Sequence, residues 1–256
     1  MMDLHQALRT IGLHHTAQTL DDLIAHATKR HFGPRELIEH IAKNEEVDRK
    51  NKSLERRSRR SRVGKFKPMA DFDWNWPKKI DRDAVEQTLT LDFINQAANV
   101  VLVGPAGLGK TMIAQNLVHQ AVLKGHQALF ISAAELLNDL VAQDSARALE
   151  RKLKFYCQSQ SLLCIDEIGF LTYQSRAADL LYQVISRRHQ KKSLIVTTNL
   201  AFSDWPSVFP NASCTVAMVD RLVEYSSIID ITGDSWRKRN AEQKLKANSK
   251  KAKAAA

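Results

Sequence analysis

In the N-terminal part of the chain, apolar side chains recur every three to four residues, the spacing that places them on one face of an α-helix. Gly12 separates the first two of these segments, and Pro34 stands at the start of the third, where its missing N–H costs nothing. The apolar sets are Leu4, Leu8 and Ile11; Leu20, Leu23, Ile24 and Ala27; and Leu37, Ile38 and Ile41. The pattern predicts three short helices, which we expect to form a small bundle of the helix-turn-helix type.

From residue 82 onward, the pattern changes to short apolar runs separated by longer amphipathic segments. The apolar runs predict five β-strands, at residues 99–103, 127–131, 162–165, 194–197 and 228–231. Helices are expected at residues 82–93 and 112–118, and helical structure over residues 133–157. Strands that alternate with helices indicate a parallel sheet with both faces covered. The predicted fold class is therefore α/β, with three layers and a parallel five-stranded sheet, preceded by a small all-helical domain.

The segment between the first strand and the next helix fits the phosphate-binding loop G-x-x-x-x-G-K-[ST] at every fixed position. Its residues are Gly104, Pro105, Ala106, Gly107, Leu108, Gly109, Lys110 and Thr111. The glycines allow a tight turn with N–H groups directed at a phosphate, and the following helix directs its positive end the same way. Lys110 is expected at the β- and γ-phosphates and Thr111 at Mg²⁺. The motif predicts a site for a nucleoside triphosphate.

Two acidic residues at the end of the predicted third strand indicate hydrolysis of ATP. Asp166 is expected to hold Mg²⁺, directly or through water, because open α/β sheets bind ligands at the carboxyl ends of their strands. Glu167 is suited to polarise an attacking water, which favours an ATPase over a kinase or GTPase. Asn199, after the fourth strand, could orient that water. Positive charge at the γ-phosphate usually comes from arginine, and periodicity does not choose among the candidates Arg187, Arg188, Arg221 and Arg237.

The net charge of +10 is concentrated at the two ends of the chain. Residues 1–67 carry 15 basic and 9 acidic side chains, residues 68–236 carry 15 and 18, and residues 237–256 carry 8 and 1. A near-neutral centre between two basic ends indicates a catalytic core with attachments that bind a polyanion.

Ten basic side chains lie between residues 49 and 67, against one acid, Glu55. Arginine suits phosphate geometry, and no base-reading pattern is visible, so we expect contact with duplex DNA that is mostly sequence-independent. The alternative is a solvated helix end. A second group of basic residues lies between positions 147 and 154. It could form another DNA-facing surface or an ordinary exposed helix face, and the sequence does not decide between the two. The candidates are Arg56, Arg57, Arg59, Arg60 and Arg62, and in the second group Arg147, Arg151, Lys152 and Lys154.

Residues 66–77 form an aromatic-rich connector before the predicted α/β core. Such side chains could stack on an adenine or on a single strand of nucleic acid. We favour the plainer interpretation that they pin the connector onto the core.

The apolar runs, the first residues and the cysteines of the chain bear on membrane insertion, secretion and redox compartment. A run of about 18 apolar residues, which a membrane-spanning helix needs, is not found, and the first residues lack the pattern of a secretory signal. The three cysteines, Cys157, Cys164 and Cys214, have neither paired nor metal-binding spacing. Their odd, sparse number predicts reduced thiols in the cytoplasm.

Six segments from about Phe72 to Arg239 carry a resemblance to a known family. They are residues 104–111, 165–170, 193–199, 202–205, 219–222 and 235–237. In residues, order and spacing they resemble the IstB-like helper ATPases of insertion sequences, relatives of the helicase loader DnaC within the AAA+ superfamily. The chain departs from the family at Thr198, where serine is usual, and at Trp236, where tyrosine is usual. It also departs over residues 211–216, where the family is rich in alanine and leucine. None of these departures removes a functional side chain.

The resemblance implies roles that spacing does not give. Arg221 would be the arginine finger for the ATP of a neighbouring subunit, with a salt bridge to Asp220 or Glu224 as the plain alternative. Arg237 would be the sensor II arginine of its own subunit, and Asn199 sensor I. The family also carries a DNA-facing helix after the second strand, which favours a DNA role for the second basic group.

The chain is expected to contain three parts: a basic helical DNA-binding domain at residues 1–65, an AAA+ ATPase domain at 66–237 and a flexible basic tail at 238–256. The resemblance implies an ATP-dependent helper of transposition that self-assembles on duplex DNA, with ATP at the interfaces of a homo-oligomer. It would recruit or activate the transposase of the same element, and hydrolysis would control release. The alternative is a helicase loader that binds single-stranded DNA.

Overall fold

The computed structural model describes residues 3–170, 174–209 and 213–241. These residues form two compact units, which divide between Arg56 and Arg57. The boundary expected from the sequence, at residue 65, lies later in the chain. Of the expected tail, residues 238–241 are helical, and the remainder lies outside the described residues.

The first unit is helical, as the apolar spacing predicts, but it differs from the prediction of three short helices. Its helices are α1 (Leu4–Thr10), α2 (His14–Gln18), α3 (Leu20–Arg30) and α4 (Pro34–Ser61), the last of which continues into the second unit. The prediction is wrong in helix number, because the short α2 forms between α1 and α3, and in helix length, because α4 runs for 28 residues through the arginine-rich segment. Neither glycine nor proline interrupts it after Pro34. Pairs of opposite charge four residues apart, such as Arg35–Glu39 and Glu46–Lys50, line its surface.

Polar contacts fix α4 against the shorter helices of the first unit. Glu45 is buried, and its carboxylate accepts the backbone N–H of Thr16 at 2.8 Å near the start of α2. Arg49 donates to the carbonyl of Gly12 at 2.8 Å, at the turn between α1 and α2. A carboxylate from α4 therefore serves as the N-terminal partner of α2.

The second unit is built around a five-stranded sheet in which every neighbouring pair is parallel. The strands are β1 (Asn99–Val103), β2 (Ala128–Ser132), β3 (Leu162–Ile168), β4 (Ser193–Thr198) and β5 (Ser226–Asp230), in the spatial order β2-β3-β4-β1-β5. The sequence prediction of five parallel strands is confirmed. Because β4 lies between β1 and β3, the segments that follow β1 and β3 meet across the end of β4.

Helices cover both faces of the sheet. They are α5 (Arg82–Leu89), α6 (Asp92–Asn95), α7 (Lys110–Leu123), α8 (Ala133–Val141), α9 (Ala146–Lys154), α10 (Ser175–Arg188), α11 (Trp205–Val208) and α12 (Thr215–Val223). The main apolar cluster joins α8, α10 and α12 to one face of the strands, through side chains such as Leu136, Leu181 and Met218. The buried side chains of α7 lie outside that cluster, because α7 packs on the other face. This is the three-layer arrangement predicted from the sequence.

Two helical segments differ from the sequence prediction. The helix expected over residues 82–93 is divided into α5 and α6, because Leu91 takes a left-handed conformation with φ of 71°. The helical stretch expected over residues 133–157 is also divided, since residues 142–145 separate α8 from α9. Ser145 accepts the N–H of Ala148 and so begins a new helix, which ends in a π-helical turn at Phe155–Ser159. None of the helices in the described residues combines the length and the apolar character needed to cross a membrane.

Candidate nucleotide-binding site

The phosphate-binding loop joins β1 to α7, and backbone and side-chain atoms of other segments pack closely against its glycines. A Cβ at Gly104 would lie 2.0 Å from the carbonyl oxygen of Ile231, and one at Gly107 would lie 2.2 Å from Ser235 Oγ. At Gly109 it would lie 2.5 Å from Phe72 Cε2. All three glycines have positive φ, so both conformation and space require glycine at these positions.

Lys110 begins α7 and bends back over the loop. Its ammonium group donates to the carbonyls of Gly104 and Pro105, the latter at 2.8 Å. Partial burial lowers the pKa of Lys110, the negative charges of Asp166 and Glu167 oppose this shift, and the positive charge of Arg237 adds to it. The lysine therefore lies among the charged groups that the sequence assigns to one site.

Asp166 lies near the carboxyl end of β3, where two hydroxyl groups donate to its buried carboxylate. The Thr111 hydroxyl is 3.2 Å from Asp166 Oδ2, and the Thr197 hydroxyl bonds to Oδ1. Burial raises the pKa of Asp166, whereas these hydrogen bonds and the charges of Lys110 and Arg237 act in the opposite direction. Together, Thr111 and Asp166 offer the hydroxyl and carboxylate oxygens that suit Mg²⁺.

A β-bulge gives the adjacent acids Asp166 and Glu167 different environments. Ile165 pairs with Val196 and Ile168 with Thr198, so both acids stand opposite the single residue Thr197. Glu167 has a φ of 62°, and its side chain is exposed, whereas Asp166 is 5% exposed. One carboxylate is therefore held beside Thr111, and the other is available at the surface of the site.

A cavity of about 800 Å³ brings most of the predicted site residues together. Residues 106–111 of the loop form one part of its wall, and Glu167, Asn199 and Arg237 form another. Gly104 and Pro105 lie at the start of the loop as acceptors for Lys110. Asp166 lies behind Thr111 and Thr197, both of which line the cavity.

The aromatic connector contributes the remaining wall of the cavity. Phe72 and Trp76 line it, and Phe72 also packs against Gly109 of the loop. The Trp76 indole N–H donates to the carbonyl of Asp234 at 2.9 Å, and its ring lies 5.2 Å from that of Trp236. These contacts pin the connector to the α/β core, as we expected, and place aromatic side chains beside the phosphate-binding loop.

The four candidate arginines have different environments. Within the described part of the chain, only Arg237 of the four lines the cavity. Arg221 lies on α12, where its guanidinium donates to the carbonyl of Ala217 at 3.1 Å and covers the ring of Tyr182 at 5.0 Å. Of the two acids named as alternative partners, Asp220 and Glu224, the second lies 3.2 Å from His189 Nε2.

Arg187 and Arg188 do not line the cavity of their own chain and bind other groups instead. Arg187 forms an ion pair with Glu150 at 2.8 Å. Arg188 is fully buried, and its guanidinium donates to backbone carbonyls within and just after the π-helical turn and at the start of β4. Burial lowers the pKa of Arg188 to about 10. The periodicity of α10 could not distinguish an arginine that binds carbonyls in the core from one that reaches a ligand.

The basic residues suggested for DNA binding are mostly exposed. Arg57 donates to the carbonyl of Val122 at 3.3 Å, and Lys152 donates to Asp139 at 2.9 Å. Burial would raise the pKa of Asp139, but hydrogen bonds from Tyr156 and Lys152, together with the charges of Lys152 and Arg62, lower it below its usual value. Arg62 therefore lies near the α8–α9 region. The exposed members are Arg56, Arg59, Arg60, Arg62, Arg147, Arg151 and Lys154.

Sequence reasoning gave no individual role to three residues that shape the site. Thr197 bonds to Asp166, Ser235 packs against Gly107, and Phe72 packs against Gly109. All three lie in segments that the resemblance or the aromatic pattern singled out. A polar residue within the buried β4 strand was the one available signal for Thr197.

Comparisons with known proteins show which family and relatives this chain is similar to. A family model described as IstB-like ATP binding protein matches residues 6–244. A relative from Pseudomonas aeruginosa, named as an ATP-binding protein of insertion sequence IS21, is 31% identical over 237 residues, covering 93% of this chain and 89% of the relative. Another from Geobacillus stearothermophilus, named for ATP binding and insertion sequence IS5376, is 29% identical and covers 95% of this chain and 98% of that protein.

Solved structures share the fold at low sequence identity. DnaI matches with a TM-score of 0.52 and 16% identity, covering 66% of this chain and 89% of that chain. DnaA bound to AMPPCP and single-stranded DNA matches with a TM-score of 0.51 and 18% identity, covering 69% of this chain and 56% of that chain. These similarities support the AAA+ fold of the second unit and carry no statement about its activity.

Proposed function

Because the chain belongs to the IstB-like ATP-binding proteins of insertion sequences, we propose that it is an ATP-hydrolysing, DNA-binding helper of transposition. The observation that carries the proposal is the convergence of the phosphate-binding loop, Asp166, Glu167 and Arg237 around one cavity. The protein assembles on duplex DNA with ATP and recruits or activates the transposase of the same element. Hydrolysis then controls its release. We propose a cytoplasmic setting, which the three unpaired cysteines in the described residues support.

The residues around the cavity suit the steps of ATP hydrolysis. The loop N–H groups and Lys110 bind the β- and γ-phosphates. Glu167 accepts a proton from the attacking water as the water oxygen bonds to the γ-phosphorus, and the bond between that phosphorus and the ADP oxygen breaks. Asn199 orients the water, and Arg237 stabilises negative charge on the transferred phosphoryl group.

Mg²⁺ fits the pair formed by Thr111 and Asp166. Their hydroxyl and carboxylate oxygens lie 3.2 Å apart beside the loop, and both are hard ligands of the kind that Mg²⁺ prefers. A bound Mg²⁺ would neutralise charge on the phosphate oxygens. Thr111 and Asp166 would hold the ion.

We propose that ATP lies at the interface between subunits of a homo-oligomer. Arg221 supports this arrangement, because it lies on α12 rather than in the cavity of its own chain. A guanidinium that covers Tyr182 and bonds to Ala217 is held in a defined position. In the proposed assembly, it reaches the γ-phosphate bound by the neighbouring subunit.

Duplex DNA is the proposed polyanion for the exposed basic residues near the end of α4 and on α9. Their side chains suit phosphate oxygens, and such contacts bind DNA without selecting a sequence. Arg62 and the α8–α9 region are close enough for the charge of Arg62 to affect Asp139. This proximity supports the grouping of Arg62 with the basic residues of α9.

The mass of the assembled particle tests the proposal. Full-length Glu167→Gln, which we expect to retain ATP, is mixed with duplex or single-stranded DNA of equal length and with ATP or ADP. The particle mass is then measured by mass photometry. Lys110→Ala serves as the control that cannot bind the triphosphate.

A large particle that forms with ATP on duplex DNA is the expected result. Assembly only on single-stranded DNA would contradict the transposition role and favour a helicase loader. A monomer under every condition would contradict both the assembly and the role of Arg221. Addition of purified transposase then tests recruitment, which should require the ATP-bound assembly.

A further inference from the structure

Thr197 connects the two acidic residues at the end of β3. It lies in β4, is 1% exposed, and stands opposite the bulge that contains Asp166 and Glu167. Its hydroxyl donates to Asp166 Oδ1 and accepts the backbone N–H of Glu167 at 2.8 Å. One side-chain oxygen therefore contacts both of the residues proposed for metal binding and water activation.

The chemistry of these groups fixes the direction of both hydrogen bonds. An ionised carboxylate only accepts hydrogen bonds, so the single hydroxyl proton of Thr197 points to Asp166. Its lone pair then accepts the N–H of Glu167, which the bulge displaces from the regular strand ladder. A methyl group in place of the hydroxyl would leave the carboxylate and the N–H without this partner.

Glu167 depends on such support because its backbone has a φ of 62°, a conformation that residues other than glycine rarely adopt. The surrounding structure must hold a residue in this region. The hydrogen bond from its N–H to Thr197 restrains it directly. The direction of the Glu167 side chain into the cavity follows from that backbone geometry.

We propose that Thr197 is a positioning residue. Its hydroxyl group aligns Asp166 with Thr111 for metal binding, and the same group holds Glu167 at the bulge for activation of the water. This inference rests on the proposed ATPase function. It predicts that loss of the hydroxyl impairs turnover and the use of Mg²⁺ more than it impairs binding of ATP.

Thr197→Val and Thr197→Ser separate the hydroxyl from the shape of the side chain. Valine keeps the branched shape, and serine keeps the hydroxyl. Thr88→Val is the matched control, because Thr88 is also buried but its hydroxyl bonds to the carbonyl of Val85 within α5. For each full-length variant, kcat and KM for ATP are measured with DNA present, and MgCl₂ is titrated.

For Thr197→Val we expect kcat to fall about 10- to 100-fold, the effect of misplacing reacting groups by about 1 Å. KM for ATP should change little, and the Mg²⁺ concentration for half-maximal activity should rise. Thr197→Ser should restore most of the activity, and Thr88→Val should match the wild type. If the valine variant folds poorly by circular dichroism, Thr197→Ala replaces it, with the same expected losses.

Wild-type kcat and Mg²⁺ dependence in Thr197→Val would overturn the inference, as would equal losses in the serine and valine variants. Failure of the proposed function gives a different result: the wild type binds a fluorescent ATP analogue but does not hydrolyse ATP. The Mg²⁺ dependence of analogue binding then decides the role of Thr197 at Asp166. Unchanged dependence in Thr197→Val would overturn that role too.

Discussion

The side chain of Ser235 occupies the space beside Gly107 that a larger residue at this position would need. A Cβ at Gly107 would lie 2.2 Å from Ser235 Oγ, and the Gly107 carbonyl accepts the backbone N–H of Trp236 at 3.0 Å. The segment that carries Arg237 is therefore attached to the loop at two points. Binding of phosphate by the loop and placement of Arg237 are linked through this attachment.

Gly107→Ala should weaken binding of ATP because the new methyl group collides with Ser235. Overpacking of this kind costs about 1–3 kcal/mol, which corresponds to a loss of affinity of about 5- to 150-fold if it falls on the bound state. Titration with a fluorescent ATP analogue measures the change. Gly125→Ala is the control, because Gly125 also has positive φ but a Cβ there would have no neighbour within 4 Å.

Gly125→Ala controls for a general loss of stability caused by alanine at positive φ, and an equal loss of affinity in both variants would contradict the role of Ser235. A second variant separates the collision from the backbone strain at Gly107 itself. The double variant Gly107→Ala with Ser235→Gly should regain part of the affinity, because it removes the nearest colliding atoms.

Glu167→Gln should bind ATP but hydrolyse it about 10²- to 10⁴-fold more slowly, the usual contribution of a general base. The amide keeps the size of the side chain but cannot accept the proton of the attacking water. Release of phosphate, measured with DNA present, checks the rate. Glu135→Gln, at an exposed position of α8, should leave the rate unchanged. Rapid turnover by Glu167→Gln would show that Glu167 is not the general base of the reaction.

Mixing of inactive variants should show whether Arg221 and Arg237 act on the ATP of their own subunit or of a neighbouring subunit. If Arg221 acts on the ATP of a neighbour, Arg221→Ala and Glu167→Gln damage the same site from different subunits. A mixture then contains some interfaces with both wild-type residues, so ATPase activity should rise above that of either variant alone. Arg237→Ala mixed with Glu167→Gln should gain nothing, because both residues belong to one subunit's cavity. Recovery in the second mixture would contradict the assignment of Arg237.

DNA affinity should depend on salt through the exposed arginines at the end of α4. Combined replacement of Arg59, Arg60 and Arg62 by alanine should lower the slope of log affinity against log salt by about 0.9 for each duplex phosphate that the protein no longer neutralises. Fluorescence anisotropy at several salt concentrations measures the slope. Lys152→Ala should change it less, because Asp139 already binds its ammonium group. An unchanged slope in the triple variant would exclude this segment from the DNA surface.

Arg188→Met should destabilise the second unit strongly. The buried guanidinium donates to carbonyls including those of Tyr156 and Ser193, and each buried acceptor left without a donor costs about 1–3 kcal/mol. We expect a decrease of at least about 3 kcal/mol in the free energy of unfolding, measured by denaturant titration. Arg187→Met, which breaks a partly exposed ion pair, should cost about 0–1 kcal/mol. Similar decreases in the two variants would contradict the structural role of Arg188.

The sequence by itself determined the α/β class, the approximate positions of all five strands and the phosphate-binding loop. Apolar periodicity and a motif of adjacent residues are local properties, so one segment is enough to read them. The end of α4 could not be predicted in the same way, because a run of charged residues is compatible with a continuing helix and also with a linker that is not helical. Asp166 and Glu167 were recognisable as a pair, but their separate environments were not.

Tertiary structure decided how the site is assembled. The bulge opposite Thr197 holds Asp166 in a buried position and leaves Glu167 exposed, and it exists only where β3 pairs with β4. Ser235 meets Gly107, and Arg188 meets the carbonyl of Tyr156, across long separations in the chain. Such contacts depend on which strands are neighbours and on how side chains fill the space between layers. Neither the spacing of apolar residues nor a short motif contains that information.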